Sequence, residues 1–211
     1  GGQYYPTLPS AILSTPAGGP RLLIRPGPEE QTARAALTEG LIALTAQYNA
    51  SSLHINFLPE EDWNNLGSHG FLQRTDQQFH WLNRNFEDFD GFLASLTSRK
   101  RKNLKKERQR ALENGIEVEW LTGADLTEAH WDTFYDFYLD TSNRKWGQAY
   151  LTRSFFNRIN ATMPDKTLLV MARRDGKYIA GALNFIGGEV LFGRNWGCIE
   201  DHPFLHFELC Y

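Results

Sequence analysis

Residues 168–211 constrain the fold more than any other stretch of the chain. Leu168-Leu-Val-Met-Ala172 is a short apolar run. Asp175-Gly176, the strongest short hairpin signal, follows it. Residues 178–186 are apolar again and are expected to pair back antiparallel. Gly187-Gly188 supplies a second tight turn, and residues 189–196 read as a third strand. A polar loop with Glu200, Asp201 and His202 then leads past Pro203 into an amphipathic helix from Phe204 to the end.

A site is expected in this stretch. Arg194, Asn195 and Trp196 sit where a strand ends, and the next segment runs into a helix start. In open α/β sheets ligands bind at such places, because backbone N–H groups and the helix dipole face the pocket. The helix carries His206 and Glu208 among apolar residues. They read either as paired polar groups of a core helix or as working residues of a site.

Upstream, residues 1–20 read as an extended loop, too apolar at Tyr4, Tyr5, Leu8, Ile12 and Leu13 to be a free tail. Residues 21–25 read as a strand closed by Pro26-Gly27-Pro28. Residues 29–48 form a helix whose apolar face is Ala36, Leu37, Leu41, Leu44 and Tyr48. Residues 51–58 alternate as a strand, with Ser52, His54 and Asn56 on one face. A short helix at 59–66 and a strand at 71–83, containing His80, complete an α/β rhythm. Helices are expected at 86–96, 98–113 (with Gly115 just past its end), 125–141 and 152–163, and a strand at 116–121. The aromatic stripe Trp131, Phe134, Tyr135, Phe137 and Tyr138 has helical spacing and reads as core.

Charge is unevenly spread. Between Arg99 and Arg110 there are eight Lys or Arg against one Glu, +7, so the rest of a chain with net −3 carries −10. This basic helix is either a solvated face balancing an acidic body or an anion site for phosphates of a nucleotide, a coenzyme or RNA. No two histidines or cysteines have metal-ligand spacing, and no metal is expected. Cys198 and Cys210 imply no disulfide framework, which suits a cytoplasmic protein. No apolar run is long enough to span a bilayer, so no membrane partner is expected. A nucleophile elbow, a P-loop and a dinucleotide fingerprint are all absent from the sequence. Cys198 reads as a bystander thiol. Direct transfer from a bound donor to an amine fits better than a covalent intermediate; it needs a base, oxyanion donors and geometry.

The order of motifs adds a resemblance. Ser98-Arg-Lys-Arg-Lys-Asn-Leu-Lys-Lys-Glu-Arg108 is followed by Gly115-Ile-Glu-Val118, Thr141-Ser-Asn-Arg144, Tyr150 and Phe155-Phe156. Then come the 168–172 run, Asp175-Gly176, Ile179-Ala-Gly-Ala-Leu183 and the glycine-arginine strand. This order resembles the FemAB-like branch of the GNAT acyltransferase superfamily. Tyr4-Tyr-Pro6, Gly19-Pro-Arg-Leu-Leu23, Ser51-Ser-Leu-His54, Gln78-Phe-His-Trp81 and His202-Pro-Phe-Leu-His-Phe-Glu208 are similar to its bacterial predicted N-acyltransferases. The resemblance implies an α/β fold, a GNAT-like mixed sheet flanked by helices, in two tandem halves, with 1–84 the C-terminal part of the first half and 85–211 the second half, truncated at its C-terminus. The Gly1-Gly2 start and the stop at Tyr211, inside a helix, lead to the expectation of a fragment. It further implies transfer of an acyl or aminoacyl group to a small-molecule or peptide amine, in cell-wall-related chemistry. The donor would be acyl-CoA or aminoacyl-tRNA, with tRNA a possible partner. The long coiled-coil arm of some Fem transferases and the acetyl-CoA glycine loop are both missing from the sequence. On this reading His206 or Glu208 is the base. Arg194, Trp196, His54, His80 and Arg144 contact substrate, and Arg101, Lys102 and Lys105 bind the donor. The alternative is a non-catalytic binding module for an anionic or peptidoglycan-like ligand.

Overall fold

The structure, a computed structural model, describes residues 5–11, 17–145 and 149–211, with Lys145 described by its backbone only. The expectations for Tyr4, Ile12 and Leu13 lie outside these residues. The chain divides into two compact units, Gly1–Trp81 and Leu82–Tyr211.

In the first unit, β1 (Thr7–Ser10) pairs in parallel with β2 (Ser52–Ile55), so part of the expected N-terminal loop is a strand. Helices α1 (Glu30–Gln47) and α2 (Glu60–Ser68) follow the expected positions. The face that α1 buries does not. Leu37, Leu44 and Tyr48 are exposed, whereas Arg34 and Thr38 are buried. The cause is an ion-pair cluster: Arg34 binds Asp62 of α2, Glu30 at 3.0 Å and Glu61 at 3.5 Å. Two strand expectations also fail. Residues 21–25 and 71–83 are irregular, and Leu72, Phe79 and Trp81 are exposed. A strand needs a neighbouring strand to complete its N–H and C=O ladder, and neither segment has one among the described residues. Arg21 instead holds a loop, donating to the carbonyls of Ala17, Gly19 and Asn56.

The second unit begins with α3 (Phe89–Ala94), shorter than the expected 86–96 because Asp88 caps it, accepting from the Gly91 N–H at 2.7 Å. Next come α4 (Ser98–Ala111), β3 (Glu117–Thr122), α5 (Glu128–Lys145) and α6 (Arg153–Thr162). The chain then enters β4 (Thr167–Arg174), β5 (Lys177–Ile186), β6 (Leu191–Cys198) and α7 (Leu205–Cys210). The sheet order is β3-β4-β5-β6, every pair antiparallel. The hairpin expectations hold. Asp175 (φ 52°) and Gly176 (φ 75°) both take the left-handed conformation that the tightest hairpin turn requires.

The apolar run in β4 divides between two cores. Leu169 and Met171 join Trp131, Phe134 and Phe137 of α5 and Phe156 of α6. Val170 and Ala172 face the other way, toward Leu205 and Leu209 of α7. The sheet is therefore covered on both faces, which is why β4 reads as a continuous apolar run and not an alternating one. The aromatic stripe is core, as expected. Each of its fully buried rings contributes about 2–3 kcal/mol. Gly197 sets the spacing between α5 and β6: a Cβ there would stand 2.4 Å from the Phe137 carbonyl oxygen. This close approach carries the last turn of α5 to the end of β6.

Candidate functional site

A cavity of about 280 Å³ opens in the second unit where the end of β6, the last turn of α5, the loop after β6 and the start of α7 meet. On β6, Trp196 and Cys198 project to the same face, as residues two apart on a strand must. From α5 come Thr141 and Arg144, one turn apart. The loop supplies Glu200, Asp201 and His202. Phe204, in a left-handed conformation (φ 67°), then turns the chain into α7, which brings Leu205 and His206 to the rim.

The groups in this cavity differ in how firmly they are held. Glu200 is a structural hub: its Oε2 accepts from Arg174 Nη2 at 2.7 Å and lies 2.9 Å from His202 Nε2. Hydrogen bonding with His202 first, and then Arg174, keeps its pKa below the usual carboxylate value. Arg144 commits Nη2 alone, to Asp140 at 2.6 Å and to the Cys198 carbonyl at 3.1 Å, with Cys198 Sγ at 3.7 Å. Its Nε and Nη1 have no partner among the described residues, and neither has the Asp201 carboxylate. Thr141 Oγ1 is buried and likewise unpartnered among the described residues. The exposed His206 ring lies 4.9 Å from the Trp196 ring, tilted by 47°.

Of the expected site residues, the cavity gathers Arg144, Trp196 and His206. Arg194 turns away to the Tyr150 hydroxyl. Glu208 stays out of the lining; it is 11% exposed and clamped by Arg108, whose Nε and Nη2 both donate to it at 2.8–3.0 Å. His54, at 2.9 Å from Ser52 Oγ, and His80, at 3.3 Å from Gln78, belong to the first unit and do not line this cavity. Arg101, Lys102 and Lys105 line an open depression along α4 with Ser98, one stripe of that helix. Arg101 donates to the Leu96 carbonyl and Lys105 lies 3.3 Å from Asp90.

Sequence reasoning missed Thr141, Glu200, Asp201 and Leu205 as lining residues and set Cys198 aside, whereas His202, a candidate base or substrate contact from the sequence, does line the cavity. The clue for Thr141 was its helical spacing from Arg144. Among the described residues, no group of three or more His, Cys, Asp or Glu is arranged to hold a metal ion. Nor is any described helix long and apolar enough to cross a membrane.

These features define a mixed α/β protein whose second unit carries a polar, aromatic-walled cavity at a sheet edge. A family model described as FemAB-like, peptidoglycan biosynthesis/recognition, matches residues 1–211, and the chain belongs to that family. At that level it falls among the transferases of peptidoglycan metabolism. Comparison with curated proteins finds no match.

Proposed function

We propose that the chain is an N-acyltransferase of GNAT-like fold that moves an acyl or aminoacyl group onto an amine acceptor in cell-wall-related chemistry. The observation that carries this reading is His206, an exposed imidazole held against Trp196 on the rim of a cavity that also contains carboxylates and a guanidinium. The amine nitrogen attacks the donor carbonyl carbon and the C–N bond forms; the donor's C–O or C–S bond breaks, its electron pair leaving with the oxygen or sulfur, which departs as the alcohol or thiol once it takes up the proton that the base has accepted. The proton lost by the amine passes to the His206 imidazole. Glu208 is the weaker candidate for this task, because its carboxylate is already clamped by Arg108. The stripe Arg101, Lys102 and Lys105 suits the phosphates of the donor, whether acyl-CoA or aminoacyl-tRNA.

The test is transfer by the purified chain from acetyl-CoA or from charged tRNA to a panel of amines, followed by mass spectrometry. His206→Ala is expected to lose about 100-fold or more in rate with its melting temperature kept. Unchanged turnover in that variant refutes the assignment. The same stripe also favours the second reading, a non-catalytic binding module. Replacing Arg101, Lys102 and Lys105 by Glu abolishes ligand retention in a module, whereas in an enzyme it weakens donor binding and leaves the chemistry.

A further inference from the structure

The cavity beside Trp196 presents both charge signs to a ligand. Arg144 keeps Nε and Nη1 uncommitted, because its ion pair with Asp140 and its bond to the Cys198 carbonyl both use Nη2. Asp201, in the same lining, has an exposed carboxylate without a partner among the described residues. Glu200 already carries Arg174 and His202 on its Oε2, so its charge is answered within the protein, whereas that of Asp201 is not answered by any described residue. The Trp196 ring adds a π surface, which favours an ammonium group. The buried Thr141 Oγ1 in the wall needs a hydrogen-bond partner that the described residues do not supply.

Size narrows the choice. At about 280 Å³ the cavity lies just below the range of about 300–1,000 Å³ in which drug-sized ligands bind. An amino acid fits a cavity of this size. A simple monoamine would leave the Arg144 donors unanswered, and a simple carboxylate would leave Asp201 unanswered. We infer that the cavity recognises an α-amino-acid head group, its carboxylate on Arg144 and its ammonium between Asp201 and Trp196. This deepens the transferase reading and rests on it for its purpose, since it makes the amine acceptor an amino acid or a residue that keeps its zwitterionic end.

The test needs no donor. Isothermal titration calorimetry of the whole chain compares L-alanine with ethylamine and L-lysine with cadaverine, each amine being its amino acid without the carboxylate. At least one amino acid is expected to bind, about tenfold or more tighter than its amine, the ratio typical of a charge-assisted hydrogen bond. Arg144→Gln should bring that amino acid down to the level of its amine, and Asp201→Asn should weaken both members of the pair. The inference is overturned if neither amino acid binds at millimolar concentration, or if amine and amino acid bind alike. The wild-type comparison stands whether or not a variant folds. Discrimination without any acyl transfer would sink the transferase reading and keep the ligand class; transfer without discrimination would do the reverse.

Discussion

Removing Arg108 should destabilise the second unit by far more than the loss of an ordinary surface charge. Exposed ion pairs contribute about 0–1 kcal/mol, while breaking a buried one costs about 3–5 kcal/mol. The Arg108–Glu208 pair lies between these limits, since the carboxylate is 11% exposed and the guanidinium 43%. Arg108→Met strands the buried member, so the expected cost is about 2–3 kcal/mol. Glu208→Gln strands the half-exposed member, which can rehydrate, and should cost about 1–2 kcal/mol. Replacing both, Arg108→Met with Glu208→Leu, leaves no buried charge and should recover at least about 1.5 kcal/mol relative to the sum of the single losses. Urea unfolding followed by circular dichroism measures all three, and the melting temperature of Arg108→Met should fall by about 6–10 °C. Strictly additive losses, or an Arg108→Met variant as stable as wild type, would show that α7 is not anchored by this pair.

Gly197→Ala places a Cβ 2.4 Å from the Phe137 carbonyl oxygen, so α5 must move off β6; we expect a loss of about 1–3 kcal/mol or more in thermal unfolding, and an unchanged melting temperature would contradict the close approach. Glu200 gives a pH dependence: its folded pKa is lowered, so its pairing stabilises above the ordinary carboxylate value of 4.5 and is lost as pH falls through the lowered value. Melting temperature should therefore drop more steeply below pH 4.5 for wild type than for Glu200→Gln, and parallel acid limbs would refute the link.

What was legible in the sequence was local. Asp175-Gly176 dictates its own turn and folds the two adjoining apolar runs back on each other, so the β4–β5 hairpin could be read directly. Helix α1 shows the limit. Its apolar stripe was easy to trace, but periodicity does not reveal which side faces a partner, and the buried side is the one holding Arg34 against Asp62, 28 residues away. The strand expected at 71–83 failed for the same reason: a pattern of residues cannot supply a neighbouring strand. In the site, Arg144, Trp196 and His206 could be picked out one by one as candidates. The Arg174–Glu200 pair, 26 residues apart, and the Arg108–Glu208 clamp, 100 apart, could not, because nothing local marks which charges will meet.

That difference bears on how the charges should be interpreted. The acidic groups of the second unit's C-terminal segment fall into two sets. Glu200 and Glu208 each receive an arginine and hold the loop and α7 in place; Asp201 receives none among the described residues and faces the cavity. The basic helix divides in the same way. Arg108 is spent on Glu208 and lies 4.2 Å over the Phe89 ring, whereas Arg101, Lys102 and Lys105 line the open depression. A wholesale charge reversal of α4 would therefore mix loss of an anchor with loss of an anion stripe. Reversing only Arg101, Lys102 and Lys105 separates the two. If donor binding falls while the melting temperature holds, the stripe binds anions; if the two fall together, its charges are part of what keeps the unit folded.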